Sequence, residues 1–203
     1  MTTCFSATLV EVPTELRGAR FVLRAPQPGD GAALHAAVLE TLQELQQWMP
    51  WAHAPMSVEH NEAEVRRMSA EFTLRQDLPY LIWAQGEGGH RSALLGSVAL
   101  RRMDWALRKF ELGYWLRRSS QGQGLASEAV RLLAGMAFSQ LQARRVEIRM
   151  DERNVGSRAV AERCGFEFEG LLRRDHLGVD QQPRDTRVYA LLSAPGAWAQ
   201  ASA

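Results

Sequence analysis

Arg118-Ser119-Ser120-Gln121-Gly122-Gln123-Gly124-Leu125-Ala126-Ser127-Glu128-Ala129 is the segment around which the rest of the chain arranges itself. Before it, Phe110-Glu111-Leu112-Gly113-Tyr114-Trp115-Leu116 is rich in aromatic and apolar residues and reads as a strand. After it, apolar residues recur at 125, 129, 132, 133 and 136, the period of a helix. A strand therefore runs into a short glycine-bearing loop, and the loop opens a helix. Glycines let a ligand reach the backbone without meeting a Cβ. The first amides of a helix lack internal acceptors and lie at the positive end of its dipole, so they attract phosphate. Two nucleotide motifs are excluded. The dinucleotide fingerprint lacks its third glycine here, with Glu128 nearby, and the P-loop's Gly-Lys-Ser/Thr ending has no lysine. What remains is Gln-x-x-Gly-x-Ala, from Gln121 to Ala126.

The chain of 203 residues suits one domain with a sizeable core. Its core is expected over about 16–192, with 1–15 as an irregular lead-in and 194–203 as a tail. Net charge near +1 gives no global pull toward nucleic acid or a membrane surface, and neither is expected as a partner. Arg101, Arg102, Arg108, Lys109, Arg117 and Arg118 are balanced by acids elsewhere. Of these, Arg117 and Arg118 are best placed to reach a bound phosphate. Cys4 and Cys164 form no C-x-x-C, so neither a zinc site nor a disulfide framework is indicated. No apolar run approaches the ~20 residues of a membrane span. The N-terminus lacks the basic-then-apolar layout of a signal peptide, so a cytoplasmic location is expected.

In chain order, 20–24 reads as a strand and Asp30 as the cap of a helix with Leu34, Val38, Leu42, Leu45 and Met49 on one face. Pro50 ends it. Trp48 and Trp51 stand at that break, as core plugs or as an aromatic wall for an acceptor substrate, with His53 and His60 flanking them. Ser57 caps a second helix that ends before Pro79. Strands follow at 80–84 and 94–100, joined by a turn at 86–91, and 101–109 is a charged connection. Beyond the glycine loop and its helix, 145–150 alternates as a strand and pairs in parallel with 110–116. A short helix runs from its cap Asn154 to Cys164, with Gly165 stopping it. Strands at 166–172 and 184–192 close the chain around the charged loop 173–183.

Asn154-x-x-Ser157-x-x-x-x-Glu162-x-x-Gly165-Phe166, together with the glycine loop, resembles the GNAT N-acetyltransferase superfamily. Glu-Leu-Gly-Tyr-Trp-Leu, Glu-Gly-x-Leu-Arg at 169–173 and Tyr-Ala-Leu-Leu at 189–192 strengthen the likeness, which spans roughly 16–192. It is closest to the subgroup that acetylates the N-termini of ribosomal proteins. The resemblance implies a mixed α/β (α+β) fold: a mostly antiparallel central sheet of six or seven strands with one splayed parallel pair, and about four flanking helices. It also implies acetyl-CoA as co-substrate, no metal, and a homodimer. Tyr114, Trp115 and Leu116 would present a strand edge to the pantetheine arm. The amides of Gln121, Gly122, Gln123, Gly124, Leu125 and Ala126 would cradle the diphosphate, and Asn154 would bond the arm. Ser157 would sit near the sulfur. Many members carry a tyrosine five residues before the Phe of Gly-Phe, as acid for the leaving thiolate; here that residue is Ala161, and Ser157 is the matching donor of the serine subgroup. Backbone amides at a distortion in 111–116 would bind the oxyanion.

Thioester aminolysis needs a neutral amine, donors for the oxyanion and a stabilised thiolate. Glu111 is the candidate base, acting through water. An α-amine has pKa ~8 and a lysine ~10.4, so a neutral lysine at pH 7 costs about 3 kcal/mol more to expose. A lightly equipped base site therefore favours a protein N-terminus. Small amines (polyamine, amino-sugar, amino acid or peptide) remain the rival acceptors, and a non-catalytic CoA-binding module the rival class.

Overall fold

A computed structural model describes residues 5–52, 54–86 and 91–198. His53, most of the 86–91 turn and the end of the tail lie outside the described residues. The elements are β1 (Glu15–Arg17), β2 (Phe21–Arg24), α1 (Gly31–Glu40), α2 (Leu42–Trp48), α3 (Val58–Leu74), β3 (Leu78–Gln85), β4 (Arg91–Asp104) and β5 (Lys109–Leu116). They continue with α4 (Leu125–Ser139), β6 (Arg145–Asp151), α5 (Val155–Arg163), β7 (Glu167–Leu177) and β8 (Pro183–Leu191). One sheet takes the order β1-β2-β3-β4-β5-β6-β8-β7. Every neighbouring pair is antiparallel except β5–β6.

The architecture is the mixed sheet expected, with eight strands and five α-helices among the described residues rather than six or seven and about four. The extra strand is β1, a short pairing of Glu15–Arg17 onto β2 within the supposed lead-in. The extra helix comes from a break at Thr41. Its side-chain hydroxyl donates to the Ala37 carbonyl at 2.8 Å, and its amide bonds Val38 in a tightened last turn. The charged segments 101–109 and 173–183 are mostly strand: β4 continues to Asp104 and β7 to Leu177.

β3 shows why the sheet sits where it does. Tyr80 and Ile82 belong to the core under α4, whereas Leu81 and Trp83 belong to the core under α1 and α3. Alternate residues face opposite sides of a sheet, so a continuous apolar run marks a strand covered on both faces.

β5 and β6 share only three partner pairs, Lys109↔Arg145, Phe110↔Val146 and Glu111↔Glu147. Past Glu111, β5 stays with β4 as far as Leu116↔Gly96, and β6 stays with β8 as far as Asp151↔Thr186. The two strands part, and a wedge opens between them. The expected distortion within 111–116 is not there: its register with β4 is continuous, and the irregularity lies between Arg101 and Asp104. Strand closeness at the far end depends on Gly96, where a Cβ would stand 2.2 Å from the Trp115 carbonyl oxygen. Gly96→Ala is expected to cost about 1–3 kcal/mol, as overpacking against backbone does. Urea denaturation reads it; an unchanged midpoint would show that the strands can separate there without loss.

Candidate active site

The wedge forms a cleft of about 1040 Å³. Its floor comes from Glu111 and from Leu112 to Leu116 on β5. Its rims are the glycine loop on one side and the first turn of α5 on the other. Every second residue of 112–116 turns its amide and carbonyl toward the side that β6 has vacated.

A single helical turn at Arg118–Ser120 leads into the loop, and Gly124 takes φ +79°, a left-handed value that glycine adopts freely. The first helical bond of α4 runs from Glu128 to the Gly124 carbonyl. Among the described residues, the amides of Gly122, Gln123, Gly124, Leu125 and Ala126 donate to no protein acceptor. A helix start leaves such amides without internal acceptors, so these donors are available to a ligand anion. Gln121 ties the loop to β5 by donating from Nε2 to the Leu116 carbonyl at 3.0 Å. Gln123 does not line the cleft with its side chain, which donates to the Ser119 carbonyl at 3.0 Å. Arg20 braces the loop from β2's start, giving Nη2 to the Gln123 carbonyl at 2.8 Å and to Glu128 at 2.6 Å.

Arg117 and Arg118, expected to reach a bound phosphate, are held by carboxylates and do not line the cleft. Arg117 pairs with Glu40, and Arg118 pairs with Glu44 at 2.6 Å. Glu40 also accepts the Ser119 amide at 2.9 Å, and Thr41 Oγ1 accepts the Arg118 amide at 3.0 Å. The Ser119 hydrogen bonds, then Arg117, hold the Glu40 carboxyl down at about 2. A depressed carboxyl contributes its stabilisation above the ordinary carboxylate range and loses it as pH falls toward 2, so the clamp is intact at neutral pH. The break between α1 and α2 thus serves to hold the loop.

On the other rim, Asn154 Oδ1 accepts the Ser157 amide at 2.9 Å and caps α5. Ser157 Oγ lies 2.9 Å from the Tyr114 hydroxyl, which also reaches the Ser157 carbonyl at 3.2 Å. Burial pushes the Tyr114 phenol up to about 12, against the Ser157 hydrogen bond. Ala161 is fully buried in the core.

Glu111 stands where the strands part. Its side chain is 18% exposed, with Arg102 Nη1 at 3.2 Å and Arg149 Nε at 3.8 Å from Oε2. Neither is aligned for a hydrogen bond, so that buried oxygen has no hydrogen-bond partner. Burial raises the carboxyl above the usual range, Arg102 and Arg149 oppose it, and Glu147 adds to it.

Beyond Glu111 the cleft is walled by Trp48 and Met49 on one side and by Asp175, His176, Leu177 and Val179 on the other. Asp175 pairs with Arg149 at 2.8 Å, and His176 Nδ1 lies 3.0 Å from Thr186 Oγ1. Arg153 lies over the Trp48 ring at 5.8 Å. Trp51 is not part of this wall. It is partly buried against the core under α1, its ring 6.4 Å from that of Trp115. His60 lies in the first turn of α3, its amide bonded to Ser57 Oγ at 3.2 Å, and does not line the cleft. Asp175 and His176 were missed because β7 is exposed along its length and carries no alternation to announce a strand.

This geometry has close counterparts. Residues 20–167 match the family model of the acetyltransferase (GNAT) domain. YdaF of Bacillus subtilis (strain 168), which carries a provisional ribosomal N-acetyltransferase name, is 32% identical over 84% of this chain and 90% of its own. The ribosomal-protein-serine acetyltransferase of Escherichia coli (strain K12) is 30% identical over 72% of this chain and 78% of its own. A solved structure of RimL, a ribosomal L7/L12 α-N-protein acetyltransferase in complex with coenzyme A, superposes with a TM-score of 0.79. It is 26% identical and covers 90% of this chain and 97% of that one. The match and the overall likeness show that the chain belongs to the GNAT acetyltransferase family as an N-acetyltransferase.

Proposed function

We propose that this cleft moves the acetyl group of acetyl-CoA directly onto the α-amine of a protein N-terminus, with ribosomal proteins as the acceptor class. The observation that carries the reading is the pairing of two features in one cleft. Five unpartnered amides at Gly122–Ala126 suit a diphosphate, and a buried carboxylate at Glu111 lies where the strands diverge. The vacated edge of 112–116 suits an arm that bears amides of its own. Acetyl-CoA supplies a thioester carbonyl as electrophile and a thiolate as leaving group.

Glu111 takes the proton of the attacking amine, directly or through one water. Its raised pKa makes it a better base than an ordinary surface carboxylate. The amides of the vacated β5 edge face the developing oxyanion. Ser157 faces the sulfur, and Asn154 holds the first turn of α5 in place while leaving its Nδ2 for the arm. Trp48 and the end of β7 form a mouth carrying both signs of charge, Arg149 and Arg153 against Asp151 and Asp175. Such a mouth can hold a peptide backbone and its side chains.

The test offers the purified chain acetyl-CoA with N-terminal peptides and with polyamines, amino-sugars and free amino acids, while thiol release is followed. Peptides are expected to accelerate release above the other amines, with CoA binding seen by calorimetry. Acceleration by small amines alone would reassign the acceptor. Binding without turnover of any amine would make this a CoA-binding module.

A further inference from the structure

We propose that Tyr114 is a positioning residue for proton delivery, its hydroxyl forming with that of Ser157 a two-member relay that protonates the departing thiolate. The inference rests on the reading of the cleft given above and adds a residue from β5 that the α5 motif does not contain. The two hydroxyl oxygens are 2.9 Å apart, although 43 residues separate them in the chain.

A phenol has one proton, and two Ser157 oxygens compete for it: Oγ at 2.9 Å and the carbonyl at 3.2 Å. With that proton on Oγ, the serine's own hydrogen cannot return to Tyr114 and turns into the cleft that Ser157 lines. In that arrangement the relay runs from the buried phenol through the serine to the cleft; with the phenol proton on the carbonyl instead, the serine would donate to Tyr114.

Delivery to sulfur runs uphill, and the phenol lessens the cost rather than removing it. A thiol of the cysteine type has pKa ~8.5 and an ordinary phenol ~10. Burial pushes Tyr114 up to about 12, so both hydroxyls keep their protons at neutral pH. A lone serine would have to become an alkoxide, which is a worse place for the charge than a phenolate.

The step balances. The amine nitrogen bonds to the carbonyl carbon, and the carbon–sulfur bond breaks with its electron pair on sulfur. Sulfur takes the Ser157 proton, and Ser157 takes the Tyr114 proton. Tyr114 then regains one from water, matching the proton that nitrogen lost to Glu111.

Tyr114→Phe is compared in the wild-type and Ser157→Ala backgrounds, with kcat by thiol release and CoA affinity by calorimetry. In the wild type, kcat is expected to fall about 10- to 100-fold, below the usual general acid–base contribution because Tyr114 acts through Ser157, while the CoA Kd stays within about twofold. In the Ser157→Ala background the same change should cost nothing more, because groups acting as one unit are not additive. Ser157→Thr, which keeps an oxygen at that place, should keep the dependence on Tyr114. Multiplying losses, a Kd that rises in step with the loss of kcat, or an unchanged kcat would overturn the relay. A wild-type chain that binds CoA but turns over no amine would overturn the functional reading itself, a different result from turnover indifferent to Tyr114.

Discussion

Glu111→Gln is expected to lower kcat by about 10²- to 10⁴-fold, the usual contribution of a general base, while CoA affinity is retained. Glutamine keeps the shape and removes the proton acceptor. The wild-type rate should fall as pH drops through the Glu111 pKa, which burial sets above the ordinary carboxylate range, and this limb should vanish in the variant. Stability should move the other way. A carboxyl whose folded pKa exceeds its unfolded one binds protons more tightly when folded, so stability declines as pH rises through that window. At pH 7 the wild type bears this cost and the variant does not. No cation is orphaned: Arg149 keeps Asp175 at 2.8 Å, and the Arg102 side chain is 70% exposed. The variant should therefore melt at the same temperature or higher while losing turnover. Activity and Tm falling together would mark Glu111 as structural, and preserved kcat would remove it from the chemistry.

The phosphate end of this cleft was legible in the sequence because local rules build it. A strand, two glycines and a 3.6-residue period fall within one short segment, and together they dictate free amides at a helix start. Asn154 was legible for the same reason, since a cap acts on its own helix. The acceptor end was not. Glu111 alternates with apolar neighbours, which reads as a wet strand face; its burial comes from Arg102 on β4 and from Arg149 on β6. Arg117 and Arg118 look like phosphate ligands from their position, but their partners sit on helices more than seventy residues earlier. Trp48 and Trp51 differ by less than one helical turn, yet of the two only Trp48 lines the cleft, because the chain turns at Pro50–Ala52 and Trp51 packs against the core. The contact between Tyr114 and Ser157 has no local signature, since parting strands and a returning helix create it. Missed features thus share one property: each depends on which distant element closes over it.

Gly124→Asp is expected to raise the CoA Kd by about 10²- to 10³-fold with the fold intact. Aspartate tolerates a left-handed φ better than most residues, and among the described residues a new Cβ would meet only Arg20 Nη2 within 4 Å, at 3.8 Å, so the chain can accept it. Its carboxylate would lie among the free amides of 122–126, filling them from within and opposing a diphosphate. At about 4 Å and an effective dielectric near 20, one pair of like charges costs roughly 4 kcal/mol, and Arg20 would offset part of it. Gly124→Asn separates charge from shape: it has the same backbone strain and bulk but no anion. Calorimetry should find the Asn variant much closer to wild type, and the gap between Asp and Asn should narrow as salt is raised. Equal Kd values for Asp and Asn would mean that backbone strain alone does the damage and that no diphosphate meets this helix start. An unchanged Kd for both would place the cofactor elsewhere. The Asp–Asn difference therefore tests the charge of the ligand itself, independently of any assay for turnover.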